Sequence, residues 1–176
     1  MTNIIDLTYE IFNGMEVYPG DPGVNFDITH TIKDYGYKVT KLTFGTHTST
    51  HIDSQAHMHE KGKTLSDYSI DKFIGKALLI KKEKDIAPSE VILIEGKLFS
   101  DQLVKKIISI KPKMIGFDIN NNLEIKYEKE LLKNDILTVG PLKLDQKLPD
   151  NFLFCAFPLK LRDADGSPVR AIAILD

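Results

Sequence analysis

The chain has 176 residues, 42% hydrophobic and 27% charged, a balance that suits one compact domain (1–176) able to bury a core without disulfides or a structural metal. Lys plus Arg is 23 and Asp plus Glu is 25, a net charge of -2 with no basic stripe, so nucleic acid is not an expected partner. Cys155 is the single cysteine, which excludes an intrachain disulfide and points to a reducing, cytoplasmic compartment; the apolar run around it, Phe152 to Phe157, is far short of the roughly 20 residues of a membrane span.

In chain order, the start Met1 to Asp6 has neither the basic region nor the long apolar region of a secretion signal. Ile4 to Leu7 reads as a short strand, and Tyr18-Pro19-Gly20-Asp21-Pro22-Gly23 as dense turn chemistry. Val24 to Ile32 alternates apolar and polar side chains, the period of a strand buried on one face. Tyr37 to Phe44 is rich in β-branched and aromatic residues, and Asp34-Tyr35-Gly36 reads as a hairpin link between these two strands. Thr64 to Phe73 reads as helical or turn structure, followed by buried strands Ala77 to Ile80 and Val91 to Ile94.

Ser100 offers an N-cap oxygen to a helix whose apolar face is Leu103, Val104, Ile107 and Ile108 and which Pro112 closes. Met114 to Phe117 reads as a strand, Tyr127 to Lys133 as a helix, and Phe152 to Leu159 and Val169 to Leu175 as strands. Lys81 to Asp85 and Asn120-Asn121-Asn122 read as surface loops. The sum is an α/β domain with a mixed sheet and an antiparallel N-terminal portion.

Four of the five histidines, His47, His51, His57 and His59, lie between residues 47 and 59, with Asp53 among them. Imidazole nitrogen and carboxylate oxygen suit Zn, Mn or Fe. On one helix Asp53 would point about 240° away from His47. On one strand His47 and His51 would stand about 13 Å apart, too far for one ion. The run is therefore expected to leave the preceding strand and coil irregularly, which the hydroxyls of Thr48, Ser49 and Thr50 permit by bonding to nearby backbone. His59, in a polar loop, and His30, on an alternating strand, are expected to lie outside the site.

The stretch His47-Thr48-Ser49-Thr50-His51-Ile52-Asp53-Ser54-Gln55-Ala56-His57 resembles the pattern His-Thr-Gly-Thr-His-x-Asp-x-Pro-x-His of the cyclase family of metal-dependent hydrolases, which includes bacterial kynurenine formamidase and isatin hydrolase. Further blocks are similar in order: Ile5-Asp6-Leu7, Tyr18 to Pro22, Gly116-Phe117-Asp118, Pro158-Leu159-Lys160 and Asp165 to Ala171. The resemblance implies a swivelling β/β/α-type fold, a homodimer, and metal-dependent hydrolysis of a formamide or cyclic amide, as in an arylformamidase. It implies that His47, His51 and Asp53 hold the metal and that His57 is the acid/base residue acting with metal-activated water. Aligned on Leu131-Leu132, the family's second-metal positions are Glu128, which still offers oxygen, and Gly140, which offers no side chain, so one Zn or Mn per chain is expected. Ser49 and Gln55 stand where the pattern has Gly and Pro. The chain also runs briefly from Glu95 to Ser100, where relatives carry a longer segment, and has no Trp. The alternative is a non-catalytic metal- or ligand-binding protein on the same fold.

Overall fold

The computed structural model describes residues 3–121, 123–144 and 147–175. Met1 and Thr2 of the N-terminal reading, and Asn122 of the expected asparagine loop, lie outside them.

Val91-Ile92-Leu93-Ile94 has no polar face because it has no wet face. These residues form strand β6 (Val91–Ile94), all fully buried. Val91 and Leu93 join one core cluster and Ile92 and Ile94 the other, as the two-residue period of a strand requires. β6 pairs in parallel with β5 (Ile74–Ile80) and with β7 (Met114–Asp118), which in turn pairs in parallel with β8 (Leu137–Leu142). One side of this wall packs on helices α3 (Asp101–Ile110) and α4 (Ile125–Lys133), through Leu103, Val104, Ile107, Tyr127 and Leu131. Each fully buried Leu or Ile there contributes roughly 1.5–3 kcal/mol. Ser100 caps α3 as expected, accepting a hydrogen bond from the Leu103 amide at 3.0 Å.

The wall curls until it closes. β9 (Asn151–Pro158) pairs antiparallel with β5 and with β10 (Gly166–Leu175). β10 also pairs antiparallel with β4 (His51–Asp53), and β4 with β8. Among the described residues, seven strands thus form a closed mixed barrel, β10-β4-β8-β7-β6-β5-β9, with β1 (Asn3–Asp6) added on β10. The expected mixed α/β sheet is what forms. Leu93, Met114, Val139, Phe154 and Ala171 belong to the buried cluster on the other face of this sheet from α3. Cys155 is buried and unpaired, a core residue as expected.

Several local expectations are corrected. β8 was not anticipated, because Gly140-Pro141 interrupts an otherwise apolar strand pattern. The link at residues 34–36 is the end of a short helical turn, α1 (Ile32–Tyr35), closed by Gly36 at φ 78°, rather than a tight hairpin turn between β2 (Asn25–His30) and β3 (Val39–Thr43). Asn121 is buried, not a surface residue: the Asp118 carboxylate accepts the Asn120 and Asn121 amides and folds the chain inward, where the Asn121 side-chain amide donates to the Ile94 carbonyl at 3.1 Å. Glu83–Asp85 forms one turn of 3-10 helix within the expected Lys81 to Asp85 loop. No helix of the described residues is long and apolar enough to cross a membrane.

Candidate metal centre

After β3 the chain runs through turns and bends from Thr46 to Thr50 before entering β4, the irregular path expected from the spacing of His47 and His51. What holds it is a set of bonds to distant backbone. The Thr50 hydroxyl donates to the Pro141 carbonyl at 2.7 Å and accepts the Tyr9 amide at 2.9 Å; Ser49 donates to the Tyr9 carbonyl at 3.0 Å. Ser49 adopts φ 59°, the left-handed region that favours glycine, at the position where the family pattern has Gly.

β4 then presents His51 and Asp53 on one face, two residues apart. Ser54 follows, and His57 lies on α2 (Gln55–Met58), whose first residue is Gln55. Proline suits that first helical position, and the glutamine adds a bond instead, its Oε1 accepting the Lys63 amide at 3.2 Å.

The side chains of His47, His51 and Asp53 converge, with one donor atom from each lying within 4.8 Å of the others. Nδ1 of His47 is 2.6 Å from Oδ1 of Asp53, and Nε2 of His51 is 3.5 Å from the same oxygen. The His51 Nδ1–H donates to the Ser49 carbonyl at 2.7 Å, which leaves Nε2 as the lone-pair nitrogen facing Asp53. The His57 ring centroid is 4.0 Å from that of His47. Two imidazole nitrogens and a buried carboxylate form a donor set that fits Zn or Mn.

The charges of the cluster lie close enough to act on one another. Burial opposes ionisation of Asp53, but His51, His47 and His57 outweigh it and hold the carboxyl well below the usual range. Burial likewise disfavours a charged His47, yet Asp53 and then Asp165 raise it to about 9. Glu128 is pushed up, first by burial and then by the charge of Asp53. Thr138, fully buried, bridges the two carboxyls, with its Oγ1 3.0 Å from Asp53 Oδ2 and 2.9 Å from Glu128 Oε1. Glu128 therefore stands behind Asp53. Among the described residues, the groups whose donor atoms all lie within 4.8 Å are His47–His51–Asp53 and His47–His57–Asp165, and neither includes Glu128.

Asp165 and Thr138 carried no assigned role in the sequence reading. Asp165 lies in the resembling block Asp165 to Ala171, the one signal that could have drawn attention to it. Gly140 is packed under Phe117: a Cβ there would lie 2.5 Å from the ring. Any larger residue at 140 would have to displace that ring. His59 donates from Nε2 to the Lys129 carbonyl at 3.0 Å, and His30 packs on Tyr35 and Tyr37; both lie outside the cluster.

The cluster opens to two adjoining cavities that share Tyr18, Asp21, His47 and His51. One, about 710 Å³, also includes His57, Met58, Phe117 and Glu128; the other, about 580 Å³, includes Tyr9, Phe12, Met15 and Lys143. Apolar walls around a few convergent polar groups are what a small-molecule site requires.

The sequence and fold of the chain are similar to those of known proteins of one family. Residues 5–115 match the family model described as "Putative cyclase". Kynurenine formamidases from Bacillus cereus and Bacillus anthracis are each 29% identical, over 96% of this chain and 95% of the relative. Among solved structures, an isatin hydrolase bound to the product analogue thioisatinate superposes with TM-score 0.82 at 15% identity, covering 99% of this chain and 92% of that one. A predicted metal-dependent hydrolase from Bacillus stearothermophilus gives 0.79 at 19%, covering 99% and 98%. With the His47 to His57 stretch inside the matched segment and the fold shared over nearly the whole chain, the chain belongs to the Cyclase family.

Proposed function

We propose that this protein is a metal-dependent hydrolase of a non-peptide C–N bond in a small molecule, a formamide or cyclic amide as in an arylformamidase. The observation that carries the reading is the meeting of His47, His51 and Asp53 beside His57 in an apolar-walled cleft. The kynurenine formamidase relatives and the isatin hydrolase neighbour support it.

His47, His51 and Asp53 are the proposed ligands of one Zn or Mn ion per chain, and Glu128, joined to Asp53 through Thr138, offers a further carboxylate oxygen behind Asp53. A divalent ion held there supplies Lewis acidity, lowering the pKa of a coordinated water to about 7 and polarising the substrate carbonyl. His57 removes a proton from the attacking water as its oxygen bonds to the carbonyl carbon. It then returns that proton to the nitrogen as the C–N bond breaks, so the products are a carboxylic acid, which releases its proton to solvent, and an amine, and the imidazole is restored. Phe117 and Met58 supply apolar wall beside His57. Phe117 packed over Gly140 supports a single ion.

We also infer a cytoplasmic homodimer. The lone buried thiol of Cys155 suits a reducing compartment. The β2–β3 hairpin leaves Ile28, Val39 and Leu42 exposed on a two-stranded sheet, a unit that is marginal in water without a covering partner. Light scattering giving a mass near twice 19.9 kDa is expected.

Elemental analysis of the purified protein tests the metal assignment: one Zn or Mn per chain is expected, absent from Asp53→Ala, and equal metal in both would remove the assignment. Turnover of N-formylkynurenine, isatin and simple lactams, abolished by a chelator and restored by Zn or Mn, tests the activity. The second reading, a non-catalytic metal-binding protein, is favoured by Phe117 occupying the space at Gly140 and by the short connection through residues 95–100. Stoichiometric metal with no hydrolysis across the panel would establish it.

A further inference from the structure

We infer that Asp165 is a positioning residue whose single carboxylate orients both the proposed metal ligand His47 and the proposed acid/base residue His57. The inference rests on the functional reading above. An imidazole that offers one nitrogen's lone pair to an ion carries its proton on the other, and that N–H needs an acceptor to fix the ring's rotation and tautomer. For His51 the acceptor is the Ser49 carbonyl. For His47, whose Nδ1 faces Asp53, the group at the far nitrogen is Asp165: Oδ2 lies 2.8 Å from Nε2. The same oxygen is 3.5 Å from Nδ1 of His57. Asp165 thus turns His47 toward Asp53 and draws Nδ1 of His57 toward itself, leaving Nε2 of His57 to exchange protons with substrate.

Asp165 is itself held in place. Its Oδ1 accepts the Thr46 hydroxyl at 3.1 Å, and its backbone carbonyl accepts both the amide and the hydroxyl of Ser54 at 2.8 Å. The next residue, Gly166, pairs with Asp53 in the β10–β4 ladder. A Cβ on Gly166 would lie 2.6 Å from Cε1 of His47, so the glycine gives the ring its place beside the carboxylate. These bonds come from the turn before β4 and from the residue after it, so Asp165 joins the two ends of the proposed site.

The test uses the full chain stripped of metal. Wild type, Asp165→Ala and Asp165→Asn are titrated with Mn²⁺ and Zn²⁺ against a chromophoric chelator, and long-range ¹H–¹⁵N spectra of the Zn²⁺-loaded proteins, which are diamagnetic, report the imidazole tautomers. Wild type is expected to bind one ion with His47 protonated at Nε2. Asp165→Ala is expected to bind about 10–100-fold more weakly and to lose the single His47 tautomer. Asp165→Asn, which keeps an accepting carbonyl and nearly the same shape, is expected to recover part of the affinity, and it serves as the informative variant if the alanine protein does not fold. Coincident melting of the metal-free wild type and Asn proteins separates positioning from general damage. Wild-type affinity and an unchanged His47 tautomer in the variants would overturn the role of Asp165 while leaving the metal site standing. Failure of wild type to bind either ion would overturn the functional reading and this inference with it.

Discussion

The parallel wall β5–β8 and the stretch from Thr46 to His57 adjoin at β8 and are stabilised in opposite ways. In the wall, Val91, Ile92, Leu93 and Ile94 are buried on both faces, and the stability is spread over many non-directional contacts. In the His47 stretch, Thr48, Thr50, Asp53 and Ser54 are buried polar residues, and the path depends on a few directional bonds to Tyr9, Pro141, Thr138 and Asp165. Damage to the wall should therefore cost stability first, and damage to the stretch should cost function first.

The largest separation is expected from His57→Ala, which should lower kcat/KM by about 10²–10⁴-fold while metal content and the melting temperature stay near wild type; metal loss in this variant would place His57 among the ligands instead. Leu93→Ala is the counterpart in the wall and should destabilise by about 2–5 kcal/mol in denaturant titration, with the folded fraction still binding metal. Gly166→Ala lies on β10 beside β4, against the His47 stretch. It should cost about 1–3 kcal/mol from overpacking and weaken metal binding more than Leu93→Ala does, because its Cβ meets the His47 ring rather than core aliphatics.

pH sharpens the contrast further. His47 is raised from 6.5 to about 9 in the metal-free fold, so the stability it contributes is fully present below pH 6.5 and is lost as pH rises through about 9. Metal-free protein should melt at lower temperature across that interval, and metal affinity should rise about tenfold per pH unit as the ion competes with one proton fewer. A His47→Gln protein should show neither trend. The smallest effect is expected from Ser49→Gly: relief of the left-handed backbone, about 1 kcal/mol, is opposed by loss of the hydrogen bond to Tyr9, of similar size, so the melting temperature should scarcely move.

These two regions were also legible to different degrees. The capped helix α3 was readable because its apolar face recurs at helical spacing, and the runs 77–80, 91–94 and 114–117 because burial on both faces leaves a strand with uninterrupted apolar residues. The proposed metal donors were readable because His47, His51 and Asp53 lie within one short segment, and the failure of both helix and strand geometry already required an irregular path. β8 was missed because Gly140-Pro141 breaks the local strand pattern, while its stabilising partners β7 and β4 are remote in sequence.

The sequence by itself determined the kind of chemistry available, an imidazole and carboxylate set on an apolar α/β scaffold, since residue type and short-range spacing are local properties. Only the tertiary structure decided how those groups are oriented. Pairing of β10 with β4 brings Asp165 to His47, the β4–β8 pairing sets Thr138 against Asp53 and Glu128, and packing of β7 on β8 lays Phe117 over Gly140. Those contacts join residues far apart along the chain, and their direction follows from strand register, which no local pattern of side chains encodes.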